Sequence, residues 1–402
     1  MSKSRHFVNT SLRRTGSKTS ESATLSPNPT TFHQEIKKFD DELQHQINNI
    51  IVKEEQEQHK LIQSDDLKPR KIKHIKLERD ADDIDLCEDA VQSPNIPDNF
   101  FPLYNKIKEM RKLITTPVDL IGCVKIPALL RLITVRFRQT GQIPHIGVPD
   151  ISHYKTEIAN IESDPSQKDH IWRFQLLVTL LFSSQTKDEV NYSVMQSLHS
   201  HYLQNGYKEG LCIEAVLQTD TKDLDNMIFK VGFHTRKASY LKETAQMLQE
   251  SYAGDIPTTI DELVQLKGIG YKMGHLILQG AWDETVGISV DTHMVRLCNM
   301  FKWLPKVEKN PDNVRKELEK MLAEYPELWQ EINPVLVGFG QTVCTPTARR
   351  CDVCLLSEID DKNDVLCPAV DKKLLLRVQR GVERGDKKVR GDMEKLIELK
   401  NS

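Results

Sequence analysis

A lysine that follows a glycine-rich turn is the residue of this sequence best placed for covalent chemistry. Gly268 and Gly270 are separated by one residue, and Lys272 follows in the predicted first turn of a helix. Glycines let the backbone turn sharply and present bare N–H groups, so the turn and the helix N-terminus can seat a phosphate. The Lys272 amine could then act as a nucleophile. The ordinary alternatives are a tight turn and a solvent-exposed helix lysine.

A carboxylate lies further along the chain, at the start of another predicted helix. Asp291 precedes Thr292 and an apolar-periodic segment, a position where aspartate most often caps the helix. Amine chemistry at a sugar carbon needs a nucleophile and a nearby carboxylate, which accepts the proton and stabilises the developing cation. We therefore predict that Asp291 is both a helix cap and the partner of Lys272.

Half of the eight cysteines cluster near the end of the periodic region. They are Cys344, Cys351, Cys354 and Cys367. Four thiolates at this spacing can hold either Zn²⁺ or an iron–sulfur cluster, and the spacing leaves both possibilities open. The loop between the first two cysteines carries Arg349 and Arg350. A bound metal would stiffen this basic loop, which we expect to contact phosphates.

The elements that must position these residues are predicted to be helices. From about residue 100 to 368, apolar residues recur with helical spacing, and no segment alternates convincingly like a strand. Residues 186–189 and 259–262 have the pattern of a capping box. Four prolines interrupt residues 124–166, where we predict an irregular insertion with one short helix at 129–138. The fold class predicted is all-α.

Composition limits the class of protein and the kind of partner. The chain of 402 residues is 39% hydrophobic and 28% charged, which is ordinary for a globular protein. No apolar run approaches the ~18 residues that cross a bilayer, so we expect no membrane partner. The net charge of −3 does not by itself predict a nucleic-acid partner. A DNA-binding surface would have to be a local patch.

The two ends of the chain differ from its centre. Residues 1–99 are polar and poor in aromatics, so we predict a disordered targeting or regulatory region. Residues 1–20 have the composition of a mitochondrial transit peptide, and the basic run 68–76 that of a nuclear localisation signal. A basic tail and a solvated charge block are the alternatives. We predict a protein of nucleus and mitochondrion, with a charged, partly helical C-terminal tail at 371–402.

The central motifs resemble those of a known family. From about residue 117 to 368 the chain is similar to the endonuclease III family of DNA glycosylases with AP lyase activity, in its eukaryotic branch. The motifs that carry the resemblance are Pro117-Val118-Asp119 with Gly122-Cys123, Leu181-Phe182-Ser183-Ser184-Gln185-Thr186-Lys187-Asp188, Val231-Gly232-Phe233, Gly268-Ile269-Gly270-Tyr271-Lys272, Val290-Asp291-Thr292-His293 with Arg296, and Val337-Gly338-Phe339-Gly340-Gln341 before Cys344.

The resemblance implies an architecture and a cofactor. Two helical domains would flank a DNA-binding cleft. One is a six-helix domain at 167–284 that contains the helix-hairpin-helix. The other is built from 100–166 and 285–370, and its four cysteines would bind a [4Fe-4S] cluster, with structural zinc as the alternative.

The resemblance also implies residue roles in base excision repair. Lys272 would attack C1′ of an oxidised pyrimidine nucleotide flipped out of the duplex, and Asp291 would activate Lys272 and stabilise the sugar cation. The Schiff base would then allow β-elimination, which cuts the strand 3′ to the site. Gln185 matches the residue that fills the vacated space, and Phe233 lies in the loop that wedges the opposite strand. The implied partner is double-stranded DNA with oxidised pyrimidines or abasic sites, bound by a monomer.

Two other functions compete with this interpretation. A monofunctional glycosylase on the same fold uses water and lacks the hairpin lysine, so Lys272 argues against it. A non-catalytic helix-hairpin-helix DNA-binding protein with a structural zinc would need neither Lys272 nor Asp291. It would keep the hairpin and the cysteines, and a reducible imine with DNA would distinguish the lyase from both.

Overall fold

The structure is a computed structural model that describes residues 96–358, 365–379 and 391–401. Within these ranges it contains α-helices, short 3-10 helices and one isolated β-bridge, and no β-strand. The all-α prediction is confirmed. No helix in the described part is long and apolar enough to cross a bilayer. The two predicted targeting segments, residues 1–20 and 68–76, lie outside the described residues.

The helices are named here in chain order, and two hydrophobic cores divide them. They are α1 (Phe100–Leu113), α2 (Pro117–Ile121), α3 (Ile126–Thr140), α4 (Lys155–Ser163), α5 (His170–Ser183), α6 (Asp188–Gln204), α7 (Ile213–Gln218), α8 (Thr221–Met227), α9 (His234–Ser251), α10 (Ile260–Leu263), α11 (Tyr271–Trp282), α12 (Thr292–Met300), α13 (Pro311–Met321), α14 (Leu328–Thr342), α15 (Lys372–Gln379) and α16 (Glu394–Asn401). The first core comprises α3 to α11. The second comprises α1, α12 to α14 and α16.

The central helix of the first core is α5. Buried residues lie on every face of it, from Trp172 to Phe182, as expected for a helix that neighbours surround. It packs against α3, α6, α9 and α11. The first core therefore sets the position of the loop after α5, which carries Gln185, relative to the hairpin before α11.

The predicted boundary near residue 166 is wrong, because residues 126–163 pack in the first core. α3 contacts α5 and α6, and its buried residues include Leu129, Leu130 and Ile133. Pro144 lies in the irregular stretch after α3, but Pro127 does not interrupt the helix. Pro127 stands in the first turn of α3, where its missing N–H costs nothing. The predicted short helix is a 15-residue helix that ends before a left-handed glycine, Gly141.

The second core joins segments from before and after the first. α1 packs against α14, and α14 packs against α12. The rings of Phe100 and Trp303 lie 4.6 Å apart between centroids, so distant parts of the chain share this core. Helices from before and after the first core in the chain therefore pack together in the second.

The charged C-terminal segment is partly helical, and residues 391–401 of it pack on the second core. Met393 and Leu396 are buried in the second core, and α16 packs against α1. Thr115 and Asp392 exchange two backbone hydrogen bonds of 3.0 and 2.8 Å. Gly391 permits this approach, because a Cβ there would lie within 3.0 Å of the Thr115 carbonyl oxygen. Two apolar side chains, rather than the charge pattern, decide where the segment lies.

A buried glutamine connects the two cores. The Gln341 side chain, near the end of α14, donates to a carboxylate oxygen of Asp188 at 2.8 Å and accepts from Val118 N at 3.3 Å. Asp188 opens α6 in the first core, and Val118 belongs to α2. The start of α6 is thereby fixed close to the chain that leads into Cys344.

Candidate active site and cysteine cluster

The predicted hairpin is present between α10 and α11. Thr259 caps α10, accepting from Glu262 N at 3.4 Å, which confirms the predicted helix start. The Glu262 carboxylate accepts from the Thr259 hydroxyl at 2.7 Å and not from its backbone N–H, so the reciprocal half of the capping box is absent. Gly268 has a φ of 83°, and a Cβ there would lie 2.8 Å from atoms of Leu181 and Tyr240. Around Gly270, the N-cap of α11, a Cβ would meet open space. One side of the turn is packed on the first core, and its Gly270 side is open to a ligand.

Lys272 lies in the first turn of α11 and is half-buried. Its carbonyl oxygen accepts a 3.1 Å hydrogen bond from the buried Ser289 hydroxyl, and the Ser289 carbonyl accepts from Asn333 Nδ2 at 2.6 Å. Asn333 belongs to α14. The helix that carries Lys272 is therefore linked through Ser289 to the second core.

Asp291 is the N-cap of α12, as predicted. Its Oδ1 accepts from Met294 N at 2.9 Å, and its backbone is extended. The segment before it is held by Ile288 N, which donates to the Glu319 carboxylate at 2.9 Å. A cap of this kind orients the carboxylate at the start of α12 without using both of its oxygens.

Lys272 and Asp291 come from different cores and lie near one imidazole. Burial lowers the pKa of His293, the negative charge of Asp291 raises it, and the positive charges of Arg296 and Lys272 lower it further. Burial raises the pKa of the Cys123 thiol to about 11, with Asp188 also raising it and Lys272 lowering it. The positive charge of Lys272 therefore acts on groups of both cores. His293 and Cys123 lie inside the motifs named above, but nothing in the sequence predicted that the charge of Lys272 acts on them.

Gln185 and Phe233 lie on two adjoining loops of the first core. Both are exposed non-glycine residues in the left-handed region, with φ of 57° and 58°. Phe233 is 57% exposed and precedes α9. The loops touch at Gly232, where a Cβ would lie within 3.0 Å of the Gln185 carbonyl oxygen. Left-handed conformations at non-glycine residues persist only where the surroundings enforce them.

Thr186 does not cap α6, so the first predicted capping box is wrong. Lys187 occupies the N-cap position. The Thr186 hydroxyl instead donates to Ser184 O at 3.2 Å and accepts from Gly232 N at 3.0 Å. The Thr186 hydroxyl thus links the loop of Gln185 to the loop of Phe233, a contact that a local sequence pattern does not predict.

The four predicted metal ligands line one cavity, together with apolar side chains such as Phe301 and Phe339. All four are free thiols. Burial raises the pKa of the Cys344 thiol to about 11 and raises those of Cys354 and Cys367, and neighbouring cysteines of the set contribute to each increase. Within the described ranges, no three His, Cys, Asp or Glu side chains were found grouped so as to hold a metal ion.

Local hydrogen bonds bring the fourth cysteine to the other three. Cys367 N donates to Leu356 O at 3.0 Å, which closes the long spacing after Cys354. The Ser357 hydroxyl donates to the carbonyls of Cys351 and Cys354, at 2.5 and 2.6 Å. Arg296 donates to Cys344 O at 2.7 Å and lies 3.9 Å from its sulfur, so its positive charge lowers the pKa of this thiol against the larger effect of burial. These residues fit a thiolate-bound group.

The guanidinium groups of Arg349 and Arg350 contact the protein. Arg349 donates to Ala369 O at 2.6 Å, and Arg350 forms an ion pair of 2.9 Å with Asp352. Both side chains therefore stiffen the loop that carries the cysteines. Their predicted contact with DNA phosphates stays a prediction.

Comparisons with known proteins agree with these motifs. Residues 178–324, which contain α6 to α13, match the family described as "HhH-GPD superfamily base excision DNA repair protein". The chain is 44% identical over 206 residues to Endonuclease III-like protein 1 of Bos taurus, a match that covers 51% of this chain and 62% of that protein. It is 40% identical over 209 residues to Endonuclease III-like protein 1 of Gallus gallus, covering 52% of this chain and 68% of that protein.

A longer match extends beyond the helix-hairpin-helix region. The chain is 36% identical over 283 residues to Endonuclease III homolog 2 of Saccharomyces cerevisiae, covering 70% of this chain and 65% of that protein. The chain thus spans somewhat less than two thirds of the length of the cattle and yeast relatives.

Proposed function

Because this chain belongs to the endonuclease III family, we propose that it is a DNA glycosylase with AP lyase activity that acts in base excision repair. Its substrate in this proposal is an oxidised pyrimidine in double-stranded DNA. One observation carries the proposal: Lys272 lies in the first turn of the helix after the hairpin, Asp291 caps α12 of the second core, and the charges of both shift the pKa of one imidazole, His293. An amine and a carboxylate that act together can attack a sugar and stabilise the resulting charge.

The proposed reaction begins with the damaged nucleotide rotated out of the duplex. The Lys272 nitrogen forms a bond to C1′ as the glycosidic bond breaks, and the base leaves with a proton. The sugar ring opens to give a protonated imine between Lys272 and C1′. Loss of the C2′ proton then breaks the bond between C3′ and the 3′ phosphate oxygen, which is β-elimination.

Asp291 has two roles in this reaction. It accepts a proton from the Lys272 ammonium, which creates the nucleophile. When that proton passes to the departing base, the regenerated carboxylate stabilises the sugar cation with its negative charge. The cap to Met294 uses Oδ1, and the carboxylate has a second oxygen for the substrate side. The cap therefore fixes the orientation of a group that also takes part in the reaction.

DNA would contact the open faces described above. Gly268 and Gly270 would present backbone N–H groups to a phosphate at the hairpin. Gln185 would enter the space left by the flipped nucleotide, while Phe233 would wedge the opposite strand. The cysteine loop with Arg349 and Arg350 would lie along the phosphate backbone.

We further propose that the four cysteines hold a [4Fe-4S] cluster. Four free thiols around one apolar cavity with a nearby arginine support this assignment. When bound, the cluster would tie the loop of residues 344–369 to the second core and supply no step of catalysis. Protein purified without oxygen should absorb broadly near ~400 nm, as thiolate-bound iron clusters do. Colourless protein with stoichiometric zinc would instead establish the zinc alternative.

Trapping with borohydride tests the main proposal. Wild-type protein should form a covalent adduct with a duplex that contains an oxidised pyrimidine, and Lys272→Gln should still bind this duplex without forming the adduct. Lys267→Gln is the matched control, because Lys267 is an exposed lysine of the same hairpin. Base release without trapping would indicate the monofunctional enzyme, and binding alone would indicate the non-catalytic protein.

The two targeting segments remain part of the proposal. Deletion of residues 2–20 from a fluorescent fusion should remove the mitochondrial signal and spare the nuclear one. Neutralisation of Lys68, Arg70, Lys71 and Lys73 should do the reverse. An unchanged distribution in both variants would contradict the proposed localisation.

A further inference from the structure

A buried lysine of the first core is not explained by the chemistry above. Lys237 lies in the first turns of α9, and the residue is 4% exposed. Its Nζ donates to Phe182 O at 2.9 Å and to Ser184 O at 2.6 Å. Burial lowers the pKa of this ammonium to about 8. A cation near the N-terminus of its own helix is also opposed by that helix dipole. The site must therefore offer a compensating interaction.

That interaction is with the C-terminus of α5. Phe182 and Ser184 belong to the end of this helix, where the last carbonyls have no partner within the helix. A lysine ammonium satisfies such carbonyls and matches the negative end of the dipole. Lys237 thus fixes the last turn of α5 immediately before Gln185.

The same carbonyl begins a hydrogen-bond chain that reaches the second loop. Ser184 O accepts both from Lys237 and from the Thr186 hydroxyl, and Thr186 Oγ1 accepts from Gly232 N at 3.0 Å. Gln185 lies within this chain, and Phe233 follows Gly232. The left-handed backbone at both residues is held between these contacts.

We propose that Lys237 is a positioning residue, which holds the loops of Gln185 and Phe233 as one preformed unit for the duplex that remains after a nucleotide has been flipped out. This inference rests on the proposed function. It adds that the two loops must be held in place when the substrate is a duplex. A single strand has no base stack with a space for Gln185 to fill and no opposite strand for Phe233 to wedge.

A second lysine of α9 supplies a matched control. Lys242 donates to the carbonyls of Val216 and Leu217 at 2.9 and 2.6 Å, and to Thr219 O, at the C-terminus of α7. It has the same side chain on the same helix and the same kind of helix end to satisfy. Its contacts lie away from the loop of Gln185, so its loss should affect stability alone.

The experiment compares Lys237→Met and Lys242→Met on two substrates. The first is a duplex with an oxidised pyrimidine, measured as single-turnover base release, and the second is a single-stranded abasic oligonucleotide, measured as strand cleavage. Lys237→Met should lower the duplex rate roughly 10- to 100-fold, the penalty typical of small misplacements in an active site. Its single-strand rate should stay within about threefold of wild type, a margin well below that penalty. Lys242→Met should leave the ratio of the two rates unchanged.

Amide exchange gives a readout that does not depend on activity. Peptides covering residues 183–187 and 231–234 should exchange faster in Lys237→Met than in Lys242→Met. If Lys237→Met fails to fold, Thr186→Val decides in its place, because it removes the link to Gly232 and should lower the same ratio. Equal losses on both substrates, or unchanged exchange in both loops, would overturn the inference. If the wild-type protein itself neither released the base nor cleaved the abasic strand, that result would contradict the proposed function and not this inference.

Discussion

The two cores stabilise their irregular segments by different means. In the first core, side chains form hydrogen bonds with the backbone carbonyls of loops and helix ends. Gln175 donates to Leu211 O at 3.0 Å, and lysines of α9 bind the ends of α5 and α7. In the second core, residues 344–369 contain only a three-residue 3-10 helix, Leu355–Ser357, within the part that the structure describes. The second core also uses side-chain hydrogen bonds, such as those of Arg296 and Arg349 to backbone carbonyls. It differs from the first in presenting four thiols, where a bound group would add to these contacts.

This difference matters because the proposed catalytic pair is divided between the cores. Lys272 belongs to the first and Asp291 to the second. A loss of order in the second core should therefore remove the partner of Lys272 while the hairpin stays folded.

The largest effect is expected at a cysteine of the second core. Cys354→Ser should abolish absorption near ~400 nm and destabilise the second core by more than about 3 kcal/mol, because the binding energy of such a group is folding energy. Limited proteolysis should then cut the second core first. Cys212→Ser is the control, a buried cysteine of the first core that should leave the spectrum intact. Wild-type absorption in Cys354→Ser would contradict the assignment.

The next effect concerns activity without stability. Asp291→Asn should lower turnover about 10²- to 10⁴-fold, since it removes proton transfer and charge stabilisation. The melting temperature should change little, because asparagine caps a helix as well as aspartate does. Asp220→Asn is the matched control, since Asp220 caps α8 by accepting from Lys222 N at 2.8 Å. If the melting temperature of Asp291→Asn fell together with its activity, Asp291 would be a helix cap without a catalytic role.

Truncation of a buried leucine tests whether the C-terminal segment belongs to the second core. Leu396→Ala should cost about 2 to 5 kcal/mol in the free energy of unfolding, as other buried leucines do. Leu399→Ala, on the same helix and 50% exposed, should change it by less than about 0.5 kcal/mol. Denaturant unfolding measures both. Equal effects from the two variants would place the segment outside the core.

The smallest effect is a pH dependence of the first core. Burial lowers the pKa of His199 to about 3, with Arg131 adding to the shift, and its neutral ring bonds to Thr134 at 2.8 Å and accepts from Leu211 N at 3.2 Å. The unfolded chain binds a proton near pH 6.5 and the folded protein does not. The contribution of His199 to the free energy of unfolding is therefore fully present above pH 6.5. It falls by about 1.4 kcal/mol per pH unit as the pH decreases from 6.5 towards 3.

Urea unfolding at pH 7 and pH 5 measures this loss, which should be about 2 kcal/mol for His199. Burial also lowers the pKa of His201, His275 and His293, so these groups act in the same direction. His199→Gln isolates the single contribution and should flatten the dependence. An unchanged slope in this variant would assign the effect to the other histidines.

The sequence alone determined the features that depend on neighbouring residues. The helical period, the two glycines of the hairpin, the Thr259 cap and the Asp291 cap are all set within one or two turns of chain, and the structure confirms them. The four prolines predicted an irregular insertion at 124–166, but a proline in the first turn of a helix, such as Pro127, does not interrupt it. The charges of residues 371–402 predicted a tail, whereas two apolar residues of this segment, Met393 and Leu396, are buried in the second core.

Only the tertiary structure decided which distant residues meet. Lys237 forms a hydrogen bond with the end of α5, more than fifty residues away in the chain, and Gln341 forms one with Asp188, 153 residues away. The Thr186 hydroxyl accepts from Gly232 N and does not cap the helix that follows it. A hydrogen bond or an apolar contact forms between surfaces that the folded chain brings together, and its partner is not encoded in the local spacing of either residue. Local rules therefore predicted the candidate catalytic residues, while the contacts that orient them follow from how the two cores pack.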